Sequence, residues 1–251
     1  NSFYITGSSE NSSKGNNNTT SPCNTPTNNG FPLCDFGSGI YYQDSYPGSS
    51  KSAYVLKFNS QNQLLWGSYV GSANNETVGH KLALNSDGDL YLGGRAFVFN
   101  NVLLPDTFCA VPTNGGFPLC DPGGNAFYAD HVGFVGYWDW FLIKFNPNKR
   151  IEWAAILGGG REESGALFMD DGVMDIAIDD SNRVYVYGNT LKSNFVDLDV
   201  LEYPGFYFQP TNQGSFLTYD TYIACFNDSN QLLWATPYGG AGQAFPGDAG
   251  H

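Results

Sequence analysis

The chain has 251 residues, enough for one large all-β domain or two small ones. Its formal net charge of −13 would repel phosphate backbones and anionic lipids, so neither a nucleic-acid partner nor a membrane surface is expected. No apolar run is long enough to span a bilayer, so we expect no membrane insertion. Abundant Gly, Asn, Ser and Tyr, with only 14% charged residues, favour short strands joined by many turns.

The first seven residues, NSFYITG, match the end of a phrase that recurs later in the chain. A chain that opens in the middle of a hairpin is typical of an excerpt. We therefore expect the sequence to be part of a longer secreted protein, with further copies of the repeat before and after it.

Two cysteine phrases of equal length interrupt the chain. CNTPTNNGFPLC runs from Cys23 to Cys34 and CAVPTNGGFPLC from Cys109 to Cys120, each with ten residues between the cysteines and an Asn-Gly turn signal near the middle. We predict disulfides Cys23–Cys34 and Cys109–Cys120, and hence an oxidising compartment. A zinc site is the alternative, although the spacing is not CxxC and no His is near in sequence. Cys225 is left over, as a partly buried thiol or an intermolecular link.

Three tryptophans mark three copies of a longer unit. Trp66, Trp153 and Trp234 lie 87 and 81 residues apart, each near the end of a similar phrase. The phrases are YVLKFNSQNQLLWGSYVGS, FLIKFNPNKRIEWAAILGG and YIACFNDSNQLLWATPYGG. A second phrase follows the first two, LALNSDGDLYLGG and IAIDDSNRVYVYG, and NSFYITG matches its end. This recurrence indicates a repeat architecture, with copies at approximately residues 1–80, 81–174 and 175–251.

Each copy is predicted to form four antiparallel strands, with a long insertion between the second and third. The apolar segments assigned to the first three strands are Leu82–Leu84, Ile176–Ile178, Leu90–Leu92, Val184–Tyr187, Tyr54–Phe58, Phe141–Phe145 and Tyr222–Phe226. A turn that begins with Asn59, Asn146 or Asn227 leads to the fourth strand, which contains the tryptophan. Such a meander, repeated along a chain, is typical of β-propeller blades, so we predict an all-β propeller with about three blades here.

Alternation along the third strand decides which side chains share a face of the sheet. Lys57 and its counterparts Lys144 and Cys225 lie on the side opposite to Phe58. The tryptophan is expected on the same side as Leu64, Ile151 or Leu232, and we predict that each tryptophan is a core residue buried between neighbouring sheets. One such sheet cannot bury both faces alone, so each blade needs neighbours.

These phrases resemble the SBBP-type β-propeller repeats, which pair an lvKFn…G.llWatyvGG phrase with aIavD..GnvYvtG.T and a loop running to an FP-like motif. The matching segments are Lys57 to Trp66, Lys144 to Gly159 and Phe226 to Gly240. The NGFPLCDPGG-style loop resembles variants in large secreted proteins of Bacteroidetes-type bacteria, which commonly use type IX secretion and carry a C-terminal sorting domain. The resemblance implies an extracellular or cell-surface propeller and no particular reaction. Copy three departs from it by lacking the paired cysteines and by having Cys225 at the lysine position.

The sequence offers little chemistry, so we do not expect an enzyme. His80, His131 and His251 are scattered through Gly-rich connections, HExxH and GxSxG are missing, and LGGGREES lacks the Gly-Lys-Ser/Thr end of a phosphate loop. Carboxylates of copy two cluster in one connection: Glu162, Glu163, Asp170, Asp171 and Asp175. We interpret the cluster as a solvated loop. Calcium is the one ion that it would suit, and no other cofactor is expected.

Aromatic side chains crowd the end of the second insertion. Tyr137, Trp138 and Trp140 lie just before a third strand, and exposed flat rings of this kind stack on sugars or anchor protein partners. Alternation places Trp138 and Trp140 on one side and Asp139 on the other. We therefore name Tyr137, Trp138 and Trp140 as candidate ligand contacts. The alternative is that they cover a neighbouring sheet or insertion.

The favoured function is a non-enzymatic, structural or adhesive propeller segment of a large, extracellular, fibre-forming or surface protein of bacteria. Its partners would be other copies or blades of the same protein, a cell-surface protein or a glycan. A carbohydrate-binding module that uses the candidate aromatic residues is the second hypothesis. A propeller hydrolase or lyase is the third, and it requires carboxylates or a His converging at the mouth of a central channel.

Overall fold

The computed structural model describes residues 2–10, 22–24, 30–35, 37, 39–44, 51–71, 76–98, 109, 111, 117–129, 137–157, 172–190, 202–210 and 220–240. These residues form β-strands and no helix. The strands are β1 (Ser2–Ser9), β2 (Ser52–Asn59), β3 (Leu64–Val70), β4 (Glu76–Leu84), β5 (Leu90–Val98), β6 (Tyr137–Phe145), β7 (Ile151–Leu157), β8 (Gly172–Ile178), β9 (Val184–Thr190), β10 (Asp220–Phe226) and β11 (Leu232–Tyr238). A helix able to cross a membrane is therefore not found in the described ranges.

The strands form three antiparallel sheets in chain order. Sheet 1 is β1-β2-β3, sheet 2 is β4-β5-β6-β7 and sheet 3 is β8-β9-β10-β11, each strand pairing with the next. The all-β prediction is confirmed, and sheets 2 and 3 are the expected four-stranded meanders. Strands β4 and β8 begin at Glu76 and Gly172, a few residues before the approximate repeat boundaries at 80/81 and 174/175.

The turn before each tryptophan begins with an asparagine, as predicted, and the side chain of that asparagine closes the turn. The Oδ1 atoms of Asn59, Asn146 and Asn227 each accept hydrogen bonds from the backbone N–H groups two and four residues later. The third residue after each asparagine has positive φ: Asn62 (60°), Lys149 (65°) and Asn230 (61°). Asparagine tolerates this left-handed conformation, and its carboxamide replaces backbone turn bonds.

A register shift follows each third strand. Lys57 lies opposite Trp66, whereas Phe58 lies opposite Leu64, so that Leu65 is an extra, bulged residue. The same shift places Lys144 opposite Trp153 and Cys225 opposite Trp234. Because residues directly opposite one another share a face, the bulge brings each tryptophan onto the lysine or cysteine face of its own sheet.

Two cores lie between the sheets. The first joins one face of sheet 1, including Val55 and Trp66, to a face of sheet 2 that includes Leu92 and Phe145. The second joins the other face of sheet 2, with Trp153, to sheet 3. Trp66 and Trp153 are 0% exposed and Trp234 is 7% exposed, so the prediction that they are core residues is confirmed.

The described ends of the cysteine phrases lie beside the outer strands of sheets 1 and 2. Cys23 and Cys34 lie at disulfide-bonding distance, as do Cys109 and Cys120. Cys34 exchanges backbone hydrogen bonds with Gly67 in β3, and Cys120 does so with Ala154 in β7. We call the segments Phe31–Cys34 and Phe117–Cys120 the straps. They pair with strand edges that would otherwise present open backbone donors and acceptors to another chain.

Candidate functional site

Sheets 1 and 2 pack against each other through a cluster of aromatic rings. We call this cluster, with its hydrogen bonds, the joint between the two sheets. The ring of Phe145, from sheet 2, is held by two aromatic rings from the other side. The Trp66 indole lies 5.6 Å from it, centroid to centroid, at 72°, and the Tyr41 ring lies 5.7 Å from it at 65°. Edge-to-face packing of this kind adds to the free energy gained by burying the rings.

Hydrogen bonds connect the same groups. The Trp66 Nε1–H donates to the Tyr41 carbonyl at 3.0 Å, and the Tyr41 N–H donates to the Lys149 carbonyl at 2.8 Å. Lys149 is the left-handed residue of the sheet 2 turn. The backbone of Tyr41 therefore links the tryptophan of one sheet to the turn of the next.

The joint between sheets 2 and 3 repeats every one of these contacts. The ring of Phe226 lies 5.3 Å from the Trp153 indole and 5.7 Å from the Phe127 ring. Trp153 Nε1–H donates to the Phe127 carbonyl at 2.6 Å, and Phe127 N–H donates to the Asn230 carbonyl at 2.8 Å. Two joints with the same parts show that the repeat specifies how neighbouring sheets pack.

The end of sheet 3 carries half of a third joint. The Trp234 Nε1–H donates to the Tyr207 carbonyl at 2.8 Å, as its counterparts do to Tyr41 and Phe127. Phe206 packs edge-on against Trp234 at 5.5 Å. In the described residues no sheet lies beyond Trp234.

The free end of sheet 1 carries the other half. Phe58 corresponds to Phe145 and stacks on Phe3 at 5.2 Å. Phe3 and Ile5 are 43% and 41% exposed, whereas their counterparts in sheet 2, Leu90 and Leu92, are 1% and 0% exposed. Sheet 1 thus presents to solvent the face that sheet 2 buries against its neighbour.

Polar groups accompany the joint between sheets 2 and 3. Lys144 is 7% exposed, and its Nζ lies 3.0 Å from an Asp89 carboxylate oxygen, 3.9 Å from Glu152 and 3.5 Å from the Asp228 carbonyl of the sheet 3 turn. The ammonium is thus paired within its own sheet and donates across to the next sheet. A buried lysine needs this pairing because desolvation of an isolated charge is costly.

Lys149 is a second buried lysine, 6% exposed, in the joint between sheets 1 and 2. Burial and the nearby Lys57 ammonium lower its pKa to about 8, against a smaller opposing effect of Asp89. Its Nζ donates to the Pro147 carbonyl, and both Lys149 and Lys57 lie over the Tyr4 ring, at 5.8 and 5.5 Å.

In sheet 3 the lysine position is occupied by Cys225, which is 0% exposed and bonded to no other cysteine. Burial raises the pKa of the Cys225 thiol, and a hydrogen bond with the Tyr185 hydroxyl partly offsets the increase. The expected thiol is therefore free, and it is fully buried rather than partly buried. A fully buried thiol is also poorly placed for an intermolecular link.

The candidate ligand residues are separated by the structure. Trp140 is 0% exposed, belongs to the core between sheets 2 and 3 and donates its Nε1–H to the Asn189 carbonyl at 3.2 Å. Trp138 is half-buried, with the Arg95 guanidinium 4.3 Å above its ring and Phe97 edge-on at 5.2 Å. The side chain of Tyr137 lies outside the described residues. A ligand contact at this place stays a prediction, and Trp138 is the described residue that could make it.

Within the described part of the chain, the acidic connection and the histidines are represented by Asp175 and His80, which make structural contacts. Asp175 lies 2.7 Å from Lys81, whose hydrogen bond holds the pKa of that carboxyl below its usual range. His80 Nδ1 lies 2.9 Å from the Val173 carbonyl, so both contacts tie β4 to β8. The remaining residues named from the sequence lie outside the described residues: Glu162, Glu163, Asp170, Asp171, His131 and His251. Among the residues that are described, no three His, Cys, Asp or Glu side chains are grouped to hold a metal ion.

The segments that supply Tyr41, Phe127 and Tyr207 were not anticipated from the sequence. We call them the hooks: Gly39–Gln43, Gly124–Ala129 and Gly205–Gln209. Each begins with a glycine of positive φ (89°, 71° and 84°), and an aromatic residue follows two or three positions later. The hooks could have been found by searching for a glycine that is followed by an aromatic residue, where the aromatic residue precedes a tryptophan by 25 to 27 positions.

Neither a scan against protein-family models nor a search of curated proteins found a match to this chain.

Proposed function

We propose that the three sheets are blades of a β-propeller of the SBBP-type repeat family, and that the chain is a non-enzymatic, structural or adhesive segment of a large extracellular bacterial protein. The recurrence of the joint carries this proposal. Successive sheets are joined by the same ring contact, which is made by Trp66 with Phe145 and again by Trp153 with Phe226. Radial repetition of one meander, each sheet needing the next, is how propellers cover their sheet faces.

The location follows from the cysteines. Two disulfide-distance pairs indicate an oxidising environment outside the cytoplasm. Beyond that, secretion to the cell surface belongs to the proposal. It fits a chain in which the straps and hooks attach described parts of the insertions to the sheets, and in which the disulfide-distance pairs lie beside the straps, because disulfides persist outside the cell.

A turnover screen tests the non-enzymatic role. The purified chain is incubated with polysaccharide, peptide and ester panels, and product release is measured. We expect no product with any panel, and retention of chain-coated beads on at least one cell-surface protein or glycan. Release of product that is abolished in an Asp175→Asn or Glu162→Gln variant would contradict the proposal.

A carbohydrate-binding role is the second candidate, favoured by the half-buried Trp138 beside Arg95. Indole rings stack on sugar faces, and a guanidinium beside the ring can donate to sugar hydroxyls. The test is a fluorescence titration against a glycan array, with Trp138→Ala as the variant and the buried Trp140 left in place. Loss of a sugar-induced signal in this variant supports the role, whereas a signal that survives it, or no signal in the parent chain, removes it.

A further inference from the structure

A cleft of about 400 Å³ opens to solvent where the first hook meets sheet 2. Part of its lining comes from the hook, and part comes from the turn before β7 and the second cysteine phrase. This volume lies within the range of small-ligand sites, which are mostly apolar and carry a few polar groups that orient the ligand.

Most of the lining is apolar. Ile40, Cys109 and Val111 are half-buried and pack against the core between sheets 1 and 2, to which the buried Tyr41 and Ile151 also belong. Cys109 lies at disulfide-bonding distance from the end of the second strap, which is hydrogen-bonded to β7. The apolar part of the cleft is therefore attached to the sheets at both ends, and it offers a firm surface for a compact apolar group.

Arg150 supplies the charge in the cleft. Its guanidinium makes no ion pair and no hydrogen bond with any of the described residues. An arginine without a carboxylate partner is unexpected in a chain with 24 acidic and 11 basic residues. Its N–H donors are thus available to an anion that enters the cleft.

The guanidinium packs against the backbone of the hook. Gly39 has a φ of 89°, and a Cβ added to it would lie 3.0 Å from Arg150 Cζ and closer still to Nη2. A side chain at position 39 would therefore collide with the guanidinium. The glycine that begins the hook leaves room for Arg150 beside the apolar lining.

The other two sheets have a glutamine at the position of Arg150. The Oε1 atoms of Gln63 and Gln231 accept hydrogen bonds from the turn asparagines at 2.9 Å. Arginine has no acceptor, and Asn146 Nδ2 donates instead to Glu152 Oε1 at 3.0 Å. The turn of sheet 2 is thus closed without the Arg150 side chain, which is left to line the cleft.

We propose that this cleft binds a carboxylate that carries a compact apolar group. The Arg150 guanidinium donates to both carboxylate oxygens, which is the geometry that suits a planar fork of donors, and Ile40, Val111 and Ile151 contact the apolar group. A single cation among apolar walls favours a monoanion, because a second negative charge would be desolvated without a partner.

This inference goes beyond the structural or adhesive role proposed above and requires only that sheets 1 and 2 pack as described. Two sources present the same chemistry: a free small acid, and the C-terminal carboxylate of a peptide that ends in an apolar residue.

Calorimetric titration of the purified chain tests the site and distinguishes the sources. The probes are 3-phenylpropionate, the peptide acetyl-Gly-Phe with a free C-terminus, and the uncharged amide of each. We expect one molecule of at least one acid to bind per chain, with a dissociation constant of about 1 mM or tighter, and its amide to bind at least about tenfold more weakly.

Binding of 3-phenylpropionate alone would assign the cleft to free acids, and binding of the peptide alone would assign it to chain ends. Saturable binding of neither acid, or equal affinity for an acid and its amide, would overturn the proposal.

Arg150→Gln is the variant that removes the charge. The glutamine should fold into the turn as it does in the other sheets, and affinity for the acid should fall by about tenfold to a hundredfold. The matched control is Lys51→Gln, which removes the same charge from an exposed residue outside the cleft and should leave affinity unchanged. Equal affinity in the parent chain and Arg150→Gln, or an equal loss in both variants, would contradict the role of Arg150.

Methyl NMR spectra of isoleucine-labelled chain locate the bound acid. The signals of Ile40 and Ile151 should shift during the titration, and those of Ile176 and Ile223 in sheet 3 should not. Shifts confined to the sheet 3 residues would place the binding elsewhere and refute the site.

Discussion

Trp153 and Phe226 belong to different sheets, and their ring centroids lie 5.3 Å apart across the core. The same relation, at 5.6 Å, holds for Trp66 and Phe145. In both pairs the indole N–H donates a hydrogen bond to a hook carbonyl, so the ring is fixed in position as well as buried. The joint is therefore a repeated unit of packing and hydrogen bonding, and its energetics can be tested one residue at a time.

Replacing Trp153 by alanine should destabilise the protein by about 3–5 kcal/mol, because the change leaves a cavity in a closed core and an unpaired hook carbonyl. Trp234→Ala should cost less, since Trp234 is 7% exposed against 0% for Trp153, and among the described residues Phe206 is its ring partner instead of a phenylalanine of a next sheet. Urea unfolding of both variants measures the difference. Trp153→Phe is the control that keeps an aromatic ring and loses the N–H, and it should fall between them. Equal losses for Trp153→Ala and Trp234→Ala would contradict the distinction between complete and half joints.

Removing the second disulfide should lower stability by about 3 kcal/mol in the loop-entropy model. The variant is Cys109→Ala/Cys120→Ala, compared with Cys225→Ala, which removes a buried thiol but no bridge. Hydrogen exchange should accelerate at the Ala154 amide, since that N–H donates to the Cys120 carbonyl in the strap. An unchanged exchange rate at Ala154 would show that the strap stays in place without the bridge.

Lys144→Met should destabilise the protein by roughly 3–5 kcal/mol, because Asp89 would be left as a buried, unpaired carboxylate. Adding Asp89→Asn should restore most of the loss, since two neutral groups need no ion pair. Asp89 is 8% exposed, so solvent cannot compensate for a missing lysine. Thermal unfolding of the two single variants and the double variant forms a cycle. A double variant no more stable than Lys144→Met alone would argue against the pair as the reason for the loss.

Stability should rise as the pH increases from about 8 towards 10. The pKa of Lys149 is lowered to about 8 in the folded protein, from 10.5, so in this window the unfolded chain binds the proton more tightly. Below about pH 8 both states are protonated and the cost of the buried charge is fully present. Above pH 10 tyrosines act in the opposite sense, since partial burial raises the pKa of Tyr185 to about 12 and stability falls as unfolded tyrosines ionise.

The rise should amount to about 1–3 kcal/mol, measured by urea unfolding at each pH. Lys149→Asn is the matched control, because asparagine occupies the equivalent left-handed positions 62 and 230. It should flatten the profile between pH 8 and 10 and raise stability at pH 7. An unaltered profile in this variant would assign the pH dependence to other groups.

The strands and the turns could be predicted from the sequence because the patterns that indicate them are local. Apolar alternation located the strands, and Asn59, Asn146 and Asn227 marked the turns that their side chains close. Alternation also predicted buried tryptophans, but it placed them on the side of Leu64, Ile151 and Leu232, and this side was wrong. The bulge that moves each tryptophan opposite Lys57, Lys144 or Cys225 could not be read in this way, because one extra residue changes the face without changing the composition.

The candidate site was harder to predict because it depends on contacts between distant segments. The hook aromatic residues lie in insertions of differing sequence, and their role depends on a tryptophan 25 to 27 residues later and on a turn in the next sheet. Alternation placed Trp138 and Trp140 on one side, but only the position of sheet 3 decides that Trp140 is covered and Trp138 is half-exposed.

The most direct test of the repeated joint is a double-mutant cycle in each one, measured by urea unfolding. The pairs are Trp153→Phe with Phe226→Leu, Trp66→Phe with Phe145→Leu, and the mismatched pair Trp66→Phe with Phe226→Leu. We predict coupling energies of about 0.5–1.5 kcal/mol in both matched pairs and none, within about 0.3–0.5 kcal/mol, in the mismatched pair. Additive losses in either matched pair would mean that the two rings do not pack on each other, and would contradict the account of how these sheets are joined.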